Sequence, residues 1–199
     1  MKIGVYVGSF NPVHIGHKYI MDYLLNNNHL DKIIVIPTKE YWDKSNLVDI
    51  KHRINMLKFY ENEKIIINDY LNDYEYTYQI LNILKNENPN DELYLIIGAD
   101  NIEKFHLWKN VEEILKHKVI VLNRNDVEID KYINQFKQKD NFIVIKDFKK
   151  IDISSSEIRD NINNMINKLD EKIYKYIIKN NLYWLEFCDR INSKFRSEE

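Results

Sequence analysis

Two histidines in a short loop near the start of the chain have the residue type and spacing needed to bind phosphate. His14 and His17 lie three positions apart in the sequence GSFNPVHIGH. Imidazole N–H groups can donate hydrogen bonds to phosphate oxygens without the permanent charge of lysine. Gly8 and Gly16 permit close approaches and backbone conformations that other residues resist, and Pro12 restricts the loop between them. This loop is therefore a candidate phosphate site.

A predicted strand and a predicted helix flank this loop. The apolar run Ile3–Val7 comes before it and is rich in strand-forming residues. Lys18–Leu25 follows, with apolar residues three and four positions apart, which is the period of a helix that buries one face. The first turn of a helix has unpaired N–H groups and a partial positive charge, both of which favour phosphate. We therefore expect the loop to join a strand to a helix N-terminus.

Strand-like and helix-like segments alternate along the rest of the chain. Further strands are predicted at Lys32–Ile36, Lys64–Ile67, Leu93–Ile97, Lys118–Leu122 and Phe142–Ile145. Helices are predicted at Ile50–Tyr60, Thr77–Lys85, Val111–Leu115, Ile129–Lys137, Ser155–Met165 and Asp170–Ile178. This alternation predicts an α/β fold with a doubly wound parallel sheet and C-terminal helices. Ligands of such sheets bind beyond the carboxyl ends of the strands.

Composition limits the classes of function that the chain can have. We expect the 199 residues to form one domain over residues 1–183, followed by a tail at residues 184–199. The formal net charge of −2 gives no general attraction to nucleic acid. A single cysteine, Cys188, excludes an internal disulfide and fits a reducing compartment. Because no apolar run is long enough to span a bilayer, we expect a cytoplasmic protein with no membrane or nucleic-acid partner.

The loop sequence GSFNPVHIGH resembles the (T/S)-F-x-P-x-H-x-G-H signature of the nucleotidyltransferase superfamily. The later sequence ISSSEIR, at Ile153–Arg159, is similar to the second signature of that superfamily, I-S-S-T-x-I-R, with Ser156 in place of threonine. The resemblance implies a Rossmann-like nucleotidyltransferase fold, with His14, His17 and Arg159 as catalytic residues that hold the triphosphate of ATP. It also implies that ATP contacts Gly8, Ser9, Phe10, Gly16, Ser154, Ser155 and Ser156.

A third segment resembles pyridine-nucleotide adenylyltransferases in particular. Gly98-Ala99-Asp100 follows the fourth predicted strand, and Phe105-His106-Leu107-Trp108-Lys109 lies shortly after it, which is similar to the Gly-Ala-Asp…Leu-x-x-Trp block of those enzymes. The resemblance implies that Gly98 and Asp100 contact the ribose of ATP. Trp108 would stack on the pyridine ring, since an aromatic face suits such a ring, and Lys109 beside it would favour a carboxylate. Phosphopantetheine adenylyltransferase, a shorter relative, does not use this block.

The remaining site residues follow other predicted strands. Lys44 and Arg53 resemble the lysine and arginine that hold the mononucleotide phosphate in this family, with Lys39 as a competitor for the first role. The loop has Tyr-Trp-Asp-Lys where bacterial nicotinate-mononucleotide enzymes often have Pro-Pro-His-Lys, which leaves the acceptor open. Thr77 resembles a threonine that begins a helix and contacts the acceptor mononucleotide. Arg124 is similar to an arginine near the adenosine.

By resemblance, the reaction is adenylyl transfer from ATP to nicotinate mononucleotide, with Mg²⁺ arriving bound to ATP. The attacking phosphate is already an anion, so the reaction needs neither a general base nor a covalent nucleophile. We expect no metal site built by the protein itself. Three alternatives stay open: nicotinamide mononucleotide as the acceptor, phosphopantetheine as the acceptor, and a nucleotide-binding regulatory module without chemistry. Assembly into a homo-oligomer is also left open.

Overall fold

A computed structural model of the chain describes residues 1–39, 47–123, 128–146, 148, 151, 153–162 and 164–183. Lys44 and Arg124, two of the predicted site residues, lie outside the described residues, as does the predicted tail at residues 184–199. The organisation of residues 1–183 as a single domain stays a prediction.

Six parallel strands form one sheet. They are β1 (Lys2–Gly8), β2 (Lys32–Pro37), β3 (Ile65–Ile67), β4 (Glu92–Gly98), β5 (Lys118–Leu122) and β6 (Phe142–Ile145). Their order across the sheet is β3-β2-β1-β4-β5-β6, and every neighbouring pair is parallel. All six predicted strands are confirmed, as is the doubly wound α/β class.

In the part of the chain that the structure describes, eight helices connect or follow these strands. They are α1 (Ile15–Asn26), α2 (Ile50–Leu57), α3 (Thr77–Glu87), α4 (Ala99–Ile102), α5 (Val111–Ile114), α6 (Ile129–Ile133), α7 (Ser155–Asp160) and α8 (Glu171–Lys179). Short 3₁₀ turns occur at Lys58–Tyr60, Leu71–Asp73, Phe105–Leu107, Lys139–Asn141 and Ile166–Lys168. No helix in the described part of the chain is both long enough and apolar enough to cross a membrane.

Two predicted helices end at least four residues earlier in the structure than the sequence suggested. The helix predicted to reach Lys137 ends at Ile133, because the following turn places Phe136 against the ring of Phe105 at 5.7 Å between ring centroids. The helix predicted over Ser155–Met165 ends at Asp160, since Asn161 leaves the helical conformation and Ile162 turns fully into the core. In both places tertiary burial overrides a local helical pattern.

The sheet is buried on both faces. Along β5, Val119 and Val121 belong to one apolar core, and the alternating Ile120 and Leu122 belong to the other. Helices α1, α2, α7 and α8 cover the face of Ile120, and helices α3 to α6 cover the opposite face. Two covered faces explain why the strands are apolar without alternation, as in other parallel sheets.

The order of the strands places a crevice between β1 and β4. After β1 the chain enters α1 on one face of the sheet, and after β4 it enters α4 on the other face. The two connections diverge above neighbouring strands that pair directly, with Tyr6 opposite Ile96. Such a reversal of direction opens a cleft at the carboxyl ends of the strands, where open α/β sheets bind their ligands.

Candidate active site

Two adjoining cavities lie above the carboxyl ends of β1 and β4. The larger cavity has a volume of about 490 Å³, and the smaller cavity has a volume of about 280 Å³. Both are lined by Val7, Gly8, Ser9, Asn101 and Trp108. Because they share these walls, the two cavities form one cleft with two compartments. Each compartment is large enough for part of a ligand of nucleotide size.

The first loop, residues 8–17, places both histidines at the start of α1. His14 is the N-cap residue of α1 and is 4% exposed, and its Nδ1 accepts the N–H of Gly16 at 3.1 Å. The Nδ1 of His17 accepts the N–H of His14 at 3.2 Å, and His17 lines the smaller cavity. A ring nitrogen that accepts an N–H has no proton of its own. Each neutral ring therefore has its proton on Nε2, where it can donate to a ligand.

The backbone of the first loop differs from the prediction made for its glycines. All four glycines of the chain are described, and none has a positive φ. Gly16 is required for space instead, since a Cβ there would lie 2.8 Å from Cγ2 of Ile153. The left-handed conformation belongs to Phe10, with φ of 46°. That conformation costs a non-glycine residue about 1–2 kcal/mol, and burial of the Phe10 ring to 2% exposure opposes the cost.

The second predicted signature packs directly against the first loop. Ser155 Oγ donates to the carbonyl oxygen of Pro12 at 2.9 Å, and Arg159 Nη1 donates to that of Asn11 at 2.6 Å. Arg159 and Asn11 are 148 positions apart in the sequence. The Nη2 of Arg159 also donates to Ser156 Oγ at 3.2 Å. The structure therefore brings together the two helix openings that the sequence assigned to one triphosphate.

The serines at the start of α7 also stabilise the protein structure, apart from any contact with a ligand. Ser154 is the N-cap residue of α7, and its Oγ accepts the N–H of Glu157 at 3.2 Å. The carboxylate of Glu157 accepts the N–H of Ser154 at 2.7 Å, which completes a capping box. These bonds fix the first turn of α7 beside the first loop. Contact of Ser154, Ser155 or Ser156 with ATP stays a prediction.

Arg53, which the resemblance assigned to the mononucleotide phosphate, is buried in the structure. It is 1% exposed, and its Nη1 donates to the carbonyl oxygens of Ser9 at 2.8 Å and Thr38 at 2.6 Å. Its Nε donates to the carbonyl oxygen of Val48 at 2.8 Å. The guanidinium thereby joins the ends of β1 and β2 to the segment before α2. The structure shows a supporting role for Arg53, and direct contact with a mononucleotide stays a prediction.

The residues that follow β4 line the cleft opposite the first loop. Gly98 ends β4, and both Gly98 and Asp100 line the smaller cavity. Trp108 is half-buried, lines both cavities and packs on Phe105 with 5.1 Å between ring centroids. Lys109 is exposed and lines the larger cavity. The order of these residues along the chain thus becomes an order across the cleft, from the smaller compartment to the larger.

Thr77 and its neighbours form another wall of the larger cavity. Thr77 is the first residue of α3, as predicted, and Tyr76 is the N-cap residue, whose N–H donates to Gln79 Oε1 at 3.1 Å. Glu75, Tyr76 and Thr77 all line this cavity. A hydrogen bond to the Glu75 carboxylate raises the pKa of the Tyr76 phenol above its ordinary value. The phenol is therefore a neutral donor at physiological pH.

Sequence reasoning missed several residues of the cleft and left one lysine open. Asn101 and Tyr76 line the cavities beside the predicted Asp100 and Thr77, and this adjacency was the available signal. Lys39 forms an ion pair with the carboxylate of Asp73. The choice between Lys39 and Lys44 for the acceptor phosphate stays open because Lys44 lies outside the described residues. Among the described residues, no cluster of three or more His, Cys, Asp or Glu side chains could hold a metal ion.

Known proteins that are similar to this chain share a family. Residues 5–161 match the family model described as cytidylyltransferase-like. A protein of Flavobacterium psychrophilum named as a probable nicotinate-nucleotide adenylyltransferase is 36% identical over 194 residues, covering 92% of this chain and 99% of that protein. A protein of Fusobacterium nucleatum with the same name is 36% identical over 190 residues, covering 87% of this chain and 96% of that protein.

A solved structure agrees with these relatives. Nicotinic acid mononucleotide adenylyltransferase of Plasmodium falciparum, complexed with NaAD, superposes with a TM-score of 0.77 at 27% identity. The match covers 92% of this chain and 97% of that chain. The family match covers most of the cleft, and the relatives match over nearly their whole length. The chain therefore belongs to the cytidylyltransferase-like family and, within it, to the nicotinate-nucleotide adenylyltransferases.

Proposed function

We propose that this chain transfers the adenylyl group of ATP to nicotinate mononucleotide, releasing pyrophosphate and forming deamido-NAD in NAD biosynthesis. The observation that supports this most directly is the packing of the Arg159 segment on the first loop, whose His17 lines the smaller cavity. Cationic and N–H donors from two helix openings then meet at the first loop, which borders the cleft. Trp108 and Lys109, which suit a pyridine carboxylate, line its other compartment.

On the ATP side, the proposed contacts come from the first loop, α7 and the end of β4. His14 and His17 donate their Nε2–H groups to the phosphates, and Arg159 holds the triphosphate with its planar fork of donors. Asp100 accepts hydrogen bonds from ribose hydroxyls, beside the open backbone of Gly98. The other proposed contacts are Gly8, Ser9, Phe10, Gly16, Arg124, Ser154, Ser155 and Ser156.

On the acceptor side, the mononucleotide occupies the larger cavity. Trp108 stacks on its pyridine ring, and Lys109 lies beside the carboxylate. Thr77 contacts the same molecule from the start of α3. Lys44 or Lys39 holds the 5′-phosphate, with Arg53 supporting the backbone between the two compartments.

The chemistry then requires alignment more than acid–base catalysis. The 5′-phosphate of the acceptor is the nucleophile, and its oxygen bonds to the α-phosphorus of ATP as pyrophosphate leaves. Charge accumulates on the phosphate oxygens in the transition state, where preorganised donors stabilise it most. Mg²⁺ bound with ATP would neutralise part of the phosphate charge, held by phosphate oxygens and water as is usual for this ion. The donors of His14, His17 and Arg159 suit phosphate oxygens, which is compatible with that arrangement.

Pyrophosphate release measured with ATP and each candidate acceptor tests the proposed function. We expect turnover with nicotinate mononucleotide to exceed turnover with nicotinamide mononucleotide and with phosphopantetheine. Preference for either of the other acceptors would contradict the proposed substrate. ATP binding without pyrophosphate release from any acceptor would instead support a regulatory module.

Replacing Lys109 by methionine should reduce the preference of the enzyme for nicotinate mononucleotide, which has the carboxylate, over nicotinamide mononucleotide. Because Lys109 is exposed, its attraction to the substrate is screened, and we expect the ratio of kcat/KM for nicotinate over nicotinamide mononucleotide to fall about fivefold. Lys104→Met is the matched control, since Lys104 is an exposed lysine of the same connection and is not among the described residues lining either cavity. An unchanged ratio in Lys109→Met would remove this lysine from substrate selection.

Replacing Trp108 by leucine should weaken binding of the mononucleotide and spare ATP. Loss of one aromatic stacking partner should raise the KM for nicotinate mononucleotide about tenfold. The KM for ATP should stay within about twofold, since the stacked ring belongs to the acceptor. Trp108→Phe keeps an aromatic face and should recover most of the affinity. If leucine and phenylalanine give the same KM for the mononucleotide, stacking by Trp108 is wrong.

Other properties stay predictions for this chain. They are a cytoplasmic location, the lack of a nucleic-acid partner and the number of copies in the active assembly. Sedimentation of the purified protein across a concentration series would determine the last of these.

A further inference from the structure

Asn11, in the middle of the first loop, contacts three distant segments of the chain. It is 1% exposed, and its side-chain Oδ1 accepts the hydroxyl of Tyr183 at 3.0 Å and the N–H of Val48 at 3.2 Å. Its backbone carbonyl accepts Nη1 of Arg159 at 2.6 Å. One buried residue therefore connects the first loop to the segment before α2, to α7 and to the chain that follows α8.

The three segments that contact Asn11 have different roles in the structure. Val48 precedes Asp49, the N-cap residue of α2, and its carbonyl holds the buried Arg53 guanidinium. Arg159 belongs to the segment proposed to hold the triphosphate. Tyr183 lies after α8 with a left-handed φ of 67° and is 5% exposed. Tyr183 therefore has an unfavourable backbone conformation, and its hydroxyl contacts the first loop.

We propose that Tyr183 and Asn11 are positioning residues for adenylyl transfer, and this inference rests on the proposed function. Tyr183 is not among the described residues that line either cavity, so we expect its hydroxyl to act on the cleft through the hydrogen bond to Asn11. The hydroxyl fixes the side-chain amide of Asn11, and the amide sets the first loop against both α7 and the segment before α2. A displacement of about 1 Å between reacting groups can cost about a hundredfold in rate. This contact therefore sets the alignment of the two bound phosphates.

The test removes only the Tyr183 hydroxyl. Tyr183→Phe keeps the buried ring, so the fold should form, and we expect kcat to fall about tenfold as the loop loses its fixed position. The KM values for ATP and for nicotinate mononucleotide should change by less than about twofold, since misalignment acts on the transition state more than on binding. A kcat equal to that of the wild type would overturn the proposal.

Tyr176→Phe is the matched control. Tyr176 lies in α8, and its hydroxyl meets His52 Nδ1 at 2.9 Å and Asn55 Nδ2 at 2.9 Å, both on α2. This substitution removes the same chemical group from a half-buried contact that does not include the first loop. We expect a similar loss of thermal stability, about the effect of one hydrogen bond, with kcat within about twofold of wild type. An equal fall of kcat in both variants would show general loosening and overturn the proposal.

A double-mutant cycle tests whether Tyr183 acts through Asn11. In an Asn11→Ala background the Tyr183 hydroxyl no longer acts on the side chain of Asn11, so adding Tyr183→Phe should change kcat by less than about twofold. Additive losses would contradict coupling between the two residues and overturn the proposal. Wild-type turnover is measured first, so that its absence refutes the proposed function and this inference together, whereas turnover with an unaffected Tyr183→Phe variant refutes this inference alone.

Discussion

Replacing His17 by alanine is expected to lower turnover by about a hundredfold or more, the effect of losing one preorganised donor to the transition state. The Nδ1 of His17 accepts the N–H of His14 and His17 lines the smaller cavity, so we expect Nε2–H to be the group that donates to a phosphate. The measurement is kcat for pyrophosphate release at saturating ATP and nicotinate mononucleotide, with the melting temperature recorded to confirm folding.

Two further variants separate the donor of His17 from its role in the loop. His17→Asn offers a side-chain oxygen for the N–H of His14 but has no donor in the position of Nε2–H. We expect it to be as slow as His17→Ala and more stable. His29→Ala is the control, since His29 stacks on Tyr23 at 5.8 Å between ring centroids and lies just before β2, at the amino ends of the strands and not at the carboxyl ends that form the cleft. Full turnover in a folded His17→Asn protein would exclude the imidazole from the mechanism.

Replacing Arg53 by methionine is expected to lower the free energy of unfolding by about 3 kcal/mol, because the substitution removes a buried charge-assisted donor set. The carbonyl oxygens of Ser9, Thr38 and Val48 would each lose a bond of 2.6–2.8 Å in a region with little access to water. Since these carbonyls belong to the ends of β1 and β2 and to the approach to α2, turnover should fall as well. Urea unfolding followed by circular dichroism measures the stability.

Lys51→Met provides the matched comparison for Arg53. Lys51 lies two positions earlier on α2 and is exposed, so the same replacement of a cation by methionine should change the unfolding free energy by less than about 0.5 kcal/mol. If Arg53 bound the mononucleotide and did not stabilise the surrounding backbone, the results would be different. Arg53→Met would then raise the KM for the mononucleotide with unfolding unchanged, and the structural account of Arg53 would be wrong.

The fold was accessible to sequence reasoning because its signals are local. Apolar runs such as Leu93–Ile97 can be buried on both faces only within a covered parallel sheet, and the helical period of Lys18–Leu25 needs no knowledge of distant residues. The endings of α6 and α7 were not accessible in this way. They depend on where Phe136 and Ile162 are buried, and burial is decided by elements far away in the chain.

Within the candidate site, the sequence identified the residue types, whereas the structure was needed to show what each side chain contacts. The sequence by itself determined that imidazoles, serines and a guanidinium stand at two helix openings, because the signatures there are contiguous runs of residues. Only the tertiary structure decided that Gly16 is needed for space beside Ile153 and that Phe10, not a glycine, takes the left-handed conformation. It also decided that Arg53 donates hydrogen bonds to backbone carbonyl oxygens.

The hydrogen bond between Tyr183 and Asn11 shows most clearly why the sequence alone could not predict such contacts. A hydrogen bond between Tyr183 and Asn11 joins residues 172 positions apart, and neither local propensity nor periodicity contains information about such a pair. Local sequence sets the conformations that a segment can adopt. The closure of the whole chain around its sheet decides which polar groups meet, since each buried group must find its partner in the folded state.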